Sequence, residues 1–186
     1  MSRKVVFITG GARSGKSSFA LREASLISGR KVFIATAQPT DNEMKERIER
    51  HQRDRGPGWE TLEEPLRVSK AIEEMSERYD VLILDCLTIW LSNVMWSGSD
   101  AELEIENLVL SIKRFSGNPS AMLFIVSNEV GMGIVPENEM ARKFRDLAGR
   151  LNQKVAEVSG EVYWTVSGIP LKIKGEGDHQ CLKQSE

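Results

Sequence analysis

A chain of 186 residues with 40% hydrophobic and 28% charged residues has the size and composition of a globular domain that can bury a core. The net charge of −2 gives no overall attraction to nucleic acid or to a membrane surface. No apolar stretch approaches the roughly 18 residues that cross a bilayer, and the first residues do not form a signal peptide. Only two cysteines are present, which argues against a disulfide framework and favours a reducing cytoplasm.

Strand-like and helix-like segments alternate along the chain, which predicts an α/β fold with a largely parallel sheet. We expect one domain over residues 1–174 and a frayed polar tail over residues 175–186. Residues 168–170 are expected to turn the chain into a short last strand that forms an antiparallel edge pair. The predicted strands span residues 4–9, 31–35, 59–62, 80–85, 121–126, 161–166 and 171–174. The predicted helices span residues 18–24, 40–54, 66–78, 88–95, 101–115 and 138–158.

The first predicted strand runs directly into a phosphate-binding motif of the form G-x-x-x-x-G-K-S. Its backbone N–H groups can turn inward around phosphate oxygens, and the following helix start adds partial positive charge. Lys16 can reach the β- and γ-phosphates, and the Ser17 hydroxyl can bind Mg²⁺. An ordinary glycine-rich turn is the alternative, but the flanking strand and helix favour a nucleoside triphosphate site. The motif consists of Gly10, Gly11, Ala12, Arg13, Ser14, Gly15, Lys16 and Ser17.

An acidic residue, Asp85, ends the apolar run that begins at Val81. Ligands of parallel sheets bind at the carboxyl ends of the strands, so this carboxylate is a candidate Mg²⁺ ligand behind the phosphate loop. The alternative is a helix N-cap at the exit of the strand. The neighbouring phosphate loop favours the metal.

A charged segment between residues 45 and 55 contains His51 on the apolar side of a predicted helix, in line with Met44 and Ile48. A lone histidine in that position is commonly a core residue. The flanking Arg50 and Arg53 would disfavour its cationic form, and a neutral imidazole can act as a nucleophile towards phosphorus. The interleaved acidic residues argue against nucleic acid as a partner.

The stretch from residue 127 to residue 137 follows the fourth apolar strand and contains Asn128 and Glu129 with two glycines behind them. It is either a simple strand-to-helix loop or a loop that faces substrate or metal. The spacing of the residues does not separate these two interpretations.

Taken together, these motifs resemble those of the bifunctional adenosylcobinamide kinase/adenosylcobinamide-phosphate guanylyltransferases of cobalamin synthesis. The similarity spans residues 6–174. It includes the phosphate loop, the segments at residues 34–37, 47–59 and 85–93, and the long stretch from residue 127 to residue 153. Many families share a phosphate loop, whereas the last stretch is specific.

The resemblance implies a recombinase-like phosphate-loop domain with a mainly parallel sheet, assembled as a homotrimer. It implies phosphorylation of adenosylcobinamide by ATP or GTP. GMP then passes from GTP to the resulting phosphate through a covalent guanylyl-histidine at His51. Mg²⁺ would be held by Ser17 and Asp85. The implied nucleotide contacts, besides the phosphate loop, are Ala35, Thr36, Ala37, Gln52, Arg53, Asp54, Arg55, Glu63 and Asp85.

At two positions the match to the family is not one to one. Glu64 could take the place of Glu63, and Arg50 stands directly before His51 where some relatives carry a second histidine. Two other functions compete: a simple phosphate-loop kinase for a small alcohol, in which His51 would be structural, and a non-enzymatic nucleotide-dependent switch.

Overall fold

The computed structural model of the protein describes residues 5–38, 55–115 and 121–175. The predicted helix over residues 40–54 lies outside the described residues. Within them the chain alternates between strands and helices as expected. The strands are β1 Val5–Gly10, β2 Lys31–Ala35, β3 Trp59–Glu63, β4 Val81–Asp85, β5 Met122–Asn128, β6 Glu161–Val166 and β7 Ile169–Lys174. The helices are α1 Lys16–Ser25, α2 Val68–Ser76, α3 Leu87–Ser97, α4 Ala101–Phe115 and α5 Glu139–Val158.

The strands form one seven-stranded sheet in the order β3-β2-β4-β5-β1-β6-β7. All neighbouring pairs are parallel except β6 and β7, which are antiparallel. The prediction of a mainly parallel sheet with an antiparallel edge pair is therefore confirmed. Because β1 lies between β5 and β6, the phosphate loop that follows it emerges from the interior of the sheet.

The alternation of side chains along β1 divides the core into two layers. Val5 and Phe7 belong to a large cluster that packs against α2, α3, α4 and α5, whereas Val6 and Ile8 belong to a smaller cluster under α1. Strands with both faces buried read as continuous apolar runs, as the sequence of β1, β4 and β5 does. This burial fixes the register of the strands, and so it also fixes where their carboxyl ends lie.

Most predicted boundaries differ from the structure by one or two residues, and two of the differences bear on the site. The last turn was expected at residues 168–170, but the paired strand begins at Ile169, and the turn consists of Ser167 and Gly168 with φ angles of 52° and 83°. A two-residue turn with positive φ at both positions has a backbone twist that matches the twist of the two hairpin strands. Pro170 is tolerated in β7 because this strand lies at the edge. The strand predicted over residues 121–126, which is β5, also continues through Ser127 to Asn128.

Among the described residues, no helix combines the length and apolarity that crossing a membrane requires.

The tryptophans of α3 provide a matched test of the core. Trp90 is 0% exposed and donates its ring N–H to the Leu66 carbonyl at 2.8 Å, whereas Trp96 on the same helix is 83% exposed. Replacing Trp90 by Ala leaves a cavity and an unpaired carbonyl, so we expect a loss of about 3–5 kcal/mol in the free energy of unfolding. Trp96→Ala should change it by less than about 0.5 kcal/mol. Urea denaturation measures both, and equal effects would contradict this assignment of the core.

Candidate functional site

The phosphate loop begins where β1 ends, and its first glycine fits only because it lacks a side chain. A Cβ atom on Gly10 would lie 2.3 Å from the Thr165 carbonyl oxygen and 2.6 Å from its hydroxyl. Gly15, at φ 95°, occupies the N-cap of α1 and sits close to Gly168. Between them Arg13 also adopts a positive φ of 56°. These two left-handed residues, Arg13 and Gly15, turn the loop backbone towards the start of α1. Anions are stabilised at that end of a helix.

The turn between β6 and β7 contacts the middle of the loop. The Gly168 N–H donates to the Ser14 carbonyl at 3.0 Å, and the Ser14 and Thr165 hydroxyls are 2.8 Å apart. Thr165 also donates to the Thr9 carbonyl at 3.2 Å. These bonds are made within the protein and hold the loop in place. Sequence reasoning missed this contact because Ser14 and Thr165 are 151 residues apart.

The two motif residues expected to act on phosphate and metal start α1. Lys16 is only 6% exposed, and its Nζ donates to the Gly11 carbonyl at 2.6 Å, so the ammonium lies over the loop. Ser17 follows it and is half-buried. The predicted local arrangement of strand, loop and helix is thus present. A cation on one side and a hydroxyl on the other can together receive a phosphate chain.

The ends of β2 and β4 meet beside each other, with Ala35 and Asp85 as register partners. Thr36 continues from β2 and is completely buried. Its hydroxyl donates to the Cys86 carbonyl and accepts from the Cys86 N–H, each at 2.9 Å, and its own N–H donates to the Asp85 carbonyl at 3.2 Å. Thr36 therefore fixes the backbone on both sides of the Asp85–Cys86 peptide. Ala37 follows it and is half-buried.

Asp85 is half-buried at the carboxyl end of β4. The N-cap of α3 is Cys86, one residue further on, so Asp85 does not hold the cap position that was its alternative role. Burial raises the pKa of the Cys86 thiol to about 11, and the negative charge of Asp85 adds to the effect. Cys86 thus stays protonated at neutral pH and acts as a packed, neutral neighbour.

Arg55 precedes β3 and reaches over the face of β2. Its guanidinium stacks over the Phe33 ring, 3.8 Å from the ring centroid. Burial lowers the pKa of Arg55, while the charge of Asp85 opposes that shift. The arginine therefore brings positive charge close to the candidate metal-binding carboxylate, where a polyphosphate would also be attracted.

Glu63 and Glu64 differ in what their side chains contact. Glu64 accepts hydrogen bonds from the N–H groups of Leu66 and Arg67 at 3.1 and 2.8 Å, and it pairs with the Arg67 guanidinium at 3.4 Å. It holds the chain that leads into α2. Glu63 ends β3 beside Ala35 with an exposed side chain, which makes it the better candidate for a nucleotide contact.

A chain of polar contacts joins β5 to its neighbours at this edge. The Asn128 side chain donates to the Thr88 hydroxyl at 2.8 Å, and Asn152 of α5 donates to the Asn128 carbonyl at 3.2 Å. The next residue, Glu129, donates its N–H to the Gly10 carbonyl at 2.9 Å. The loop after β5 therefore begins in direct contact with the phosphate loop.

The structure places the phosphate loop, the 35–37 segment, Glu63 and Asp85 at the carboxyl edge of the sheet. The Arg55 guanidinium lies over the Phe33 ring of β2, within electrostatic reach of Asp85. His51, Gln52, Arg53 and Asp54 lie outside the described residues. Within the described part of the chain, no group of three or more His, Cys, Asp or Glu side chains could hold a metal ion.

A family model described as cobinamide kinase/cobinamide phosphate guanyltransferase matches residues 6–173. The chain belongs to this family. The bifunctional adenosylcobalamin biosynthesis protein CobP of Pseudomonas aeruginosa is 41% identical, with 91% of this chain and 96% of the relative covered. CobU of Escherichia coli, which bears the same description, is 38% identical over 91% of this chain and 99% of its own length. Membership of the family makes the protein an enzyme, in agreement with the resemblance noted in the sequence.

Solved structures confirm the fold class. A Pyrococcus horikoshii protein, solved in a structural study of project PH0250, matches with a TM-score of 0.56 at 12% identity, covering 95% of this chain and 88% of its own. The RadB recombinase matches with a TM-score of 0.52 at 11% identity, covering 87% of this chain and 73% of its own. At such low identity these likenesses bear on the fold alone. They confirm the expected recombinase-like architecture.

The two neighbouring glycines of the loop provide a test of its packing. Gly10→Ala would drive a methyl group into Thr165, whereas a Cβ on Gly11 meets nothing within 4 Å. We expect Gly10→Ala to lower the free energy of unfolding by more than about 2 kcal/mol, and Gly11→Ala to lower it by about 1 kcal/mol or less, both measured without nucleotide. Urea denaturation gives the comparison. The packing would be wrong if Gly10→Ala were as stable as the Gly11 variant.

The buried hydroxyl of Thr36 can be tested with two near-isosteric replacements. Thr36→Val removes both hydrogen bonds to the Cys86 backbone and leaves that peptide unpaired, which should cost about 1–3 kcal/mol of stability. Thr36→Ser keeps the hydroxyl and should recover most of the loss. Thermal and urea unfolding provide the measurement. Equal stability of the Val and Ser variants would show that the hydrogen bonds of the Thr36 hydroxyl do not stabilise the protein.

Proposed function

We propose that this enzyme phosphorylates adenosylcobinamide with ATP or GTP and then transfers GMP from GTP to adenosylcobinamide-phosphate, giving adenosylcobinamide-GDP and pyrophosphate. The observation that carries the proposal is the family match over residues 6–173 together with a formed phosphate loop at the carboxyl edge of the sheet. The relatives described as bifunctional cover nearly the whole chain, so no large part of it is left over for another activity.

In the kinase step the loop N–H groups and Lys16 would bind the β- and γ-phosphates, and the acceptor hydroxyl would attack the γ-phosphorus in line with the leaving oxygen. A new oxygen–phosphorus bond forms, the bond to the β-phosphate oxygen breaks, and the hydroxyl proton is lost to a base. Glu129 is a candidate for that base because its N–H is bonded to Gly10, at the loop itself. In this structure its carboxylate accepts the Gly131 N–H.

In the guanylyl transfer we propose His51 as the nucleophile. A neutral ring nitrogen would attack the α-phosphorus of GTP, forming a phosphorus–nitrogen bond as pyrophosphate leaves. A phosphate oxygen of the acceptor would then attack the same phosphorus, breaking the bond to nitrogen and restoring the imidazole. Arg55 supports this role: it lies beside Asp85 and follows His51 by four residues, which span at most about 14 Å of chain.

The remaining nucleotide contacts are proposed at the ends of β2 and β3. Ala35 and Ala37 border the buried Thr36, and Glu63 is exposed beside them. Thr36 itself is 0% exposed, so its side chain would act through the backbone that it holds and not by touching the nucleotide. Gln52, Arg53 and Asp54 remain predictions from the resemblance.

The residues present fit Mg²⁺ as the metal. A hydroxyl at Ser17 and a carboxylate at Asp85 are hard oxygen donors, and few protein ligands suit an ion that keeps waters and binds substrate phosphates. When bound, Mg²⁺ would neutralise charge on the phosphates. Ser17 and Asp85 would hold it, with Thr36 fixing the Asp85 backbone. We also propose that the enzyme works as a cytoplasmic homotrimer with one domain over residues 1–174, on the basis of the resemblance.

The histidine role is tested with GTP labelled at the α-phosphate. We expect one acid-labile guanylyl group on the protein, located at residue 51 by mass spectrometry, and none on His51→Ala. His51→Ala should retain phosphorylation of the acceptor from ATP, since the kinase step does not use the imidazole. Label that survives the substitution would rule out His51 as the carrier. If wild-type protein retained label from neither the α- nor the γ-phosphate of GTP, a nucleotide-dependent switch would be favoured.

Lys16 tests whether one phosphate site serves both reactions. Replacing it by Ala removes the cation that lies over the loop, and we expect the rate of each step to fall by about 10²-fold or more, as when one preorganised charge is lost. Phosphoryl transfer from γ-labelled ATP and guanylylation from α-labelled GTP are measured separately. Guanylyl transfer at the normal rate would show that the two reactions use separate sites.

A further inference from the structure

The loop after β5 and the first turns of α5 extend beyond the carboxyl edge of the sheet. Asn152 shows which part of α5 lies beside the carboxyl edge of the sheet, because its side chain donates to the carbonyl of Asn128, the last residue of β5. Thirteen residues of α5 precede Asn152, about 20 Å of helix. After Asn152 the chain returns to the other edge, where the Gly160 N–H donates to the Val5 carbonyl at 3.0 Å. We call residues 130–146 the overhang.

Burial along α5 agrees with this position. The buried residues of the helix begin at Leu147, and none of residues 139–146 is buried. The loop is nevertheless tied down at its far end, because Arg142 donates to the Pro136 and Glu137 carbonyls and the Asn138 side chain caps the helix. Val130 and Phe144, near the two ends of the overhang, pack against the large core cluster, and the residues between them are held by their own hydrogen bonds.

The overhang presents apolar side chains to solvent. Ile134 is 96% exposed, Met132 75%, Met140 59% and Val135 58%. No charged residue occurs between residues 130 and 136. Met140 and Leu147 also line a cleft of about 350 Å³ together with Met95 of α3 and with charged side chains, among them Asp100, Glu102 and Lys143. Exposed methionine and aliphatic side chains so close in sequence are candidates for a binding surface.

The overhang rises next to the reaction centre. It follows β5, the strand that lies between β1 with the phosphate loop and β4 with Asp85. It starts one residue after the hydrogen bond from Glu129 to Gly10. An acceptor whose hydroxyl reaches a phosphate on that loop must have its remaining bulk above the same edge.

We propose that the overhang binds the macrocycle of the corrinoid acceptor, with Met132, Ile134 and Val135 against an apolar face of the ring. This inference rests on the proposed function, which supplies a large acceptor with broad apolar faces and an amide-bearing rim. A patch of four side chains is on the order of several hundred Å², typical of a functional patch on a monomer. Stable protein interfaces bury about 800 Å² per partner, so the size favours a small molecule over a second copy of the chain.

The test compares the double variant Met132→Ser/Ile134→Ser with Leu26→Ser. Leu26 is a matched control because it is 78% exposed and lies at the far end of α1 from the phosphate loop. Cobinamide is the probe, with its dissociation constant measured by equilibrium dialysis and its KM measured with ATP. We expect both constants to rise at least about tenfold in the double variant, since apolar contact is lost, and to stay unchanged in the control. The KM values for ATP and GTP should stay within about twofold of wild type.

Unchanged cobinamide binding in the double variant would overturn the inference. A smaller assembly by sedimentation velocity would also overturn it, in favour of a second copy on this surface. The proposed function fails separately, if wild-type protein binds cobinamide but neither phosphorylates nor guanylylates it. If wild-type protein turns over cobinamide and the double variant matches it, only the inference about the overhang is lost.

Discussion

The phosphate loop keeps its shape because backbone hydrogen bonds reach it from both neighbouring strands. The Glu129 N–H, beyond the end of β5, donates to the Gly10 carbonyl, and the Gly168 N–H, in the turn after β6, donates to the Ser14 carbonyl. A loop that must direct several N–H groups at one anion gains from being ordered in advance, since the ordering entropy is not lost on binding. The central position of β1 in the sheet makes both contacts possible.

A second set of contacts places the acidic half of the site. The buried Thr36 hydroxyl joins the end of β2 to the backbone that follows Asp85, so these two strands cannot shift independently at this edge. Arg55 and Asp85 then bring opposite charges close together beside that junction. The proposed metal and the proposed histidine both depend on this arrangement, because each must meet a phosphate chain that starts in the loop on β1.

Much of this architecture was predictable because the decisive signals are local. The apolar runs of β1, β4 and β5 and the glycine spacing of the loop are continuous in sequence, and they predicted the sheet and the nucleotide edge. The contact of Thr165 with Ser14 carries no local signal, since it joins residues at opposite ends of the chain. The position of the hairpin turn was predicted wrongly for a different reason. Ser167 adopts a positive φ, which serine rarely does, and Pro170 is a residue type that is common in turns. Thr36 was predicted as a nucleotide contact, and nothing in the sequence indicates that its side chain is completely buried and bonded to the Cys86 backbone.

The Lys16 ammonium donates a hydrogen bond to the Gly11 carbonyl at 2.6 Å. The ammonium thereby keeps a hydrogen-bond acceptor although water hardly reaches it, which limits the penalty of holding a charge in a nearly closed position. An ammonium has three N–H donors, so Lys16 can keep its bond to Gly11 and still donate to a phosphate chain. The carbonyl therefore orients the cation over the loop and does not compete with the substrate for it.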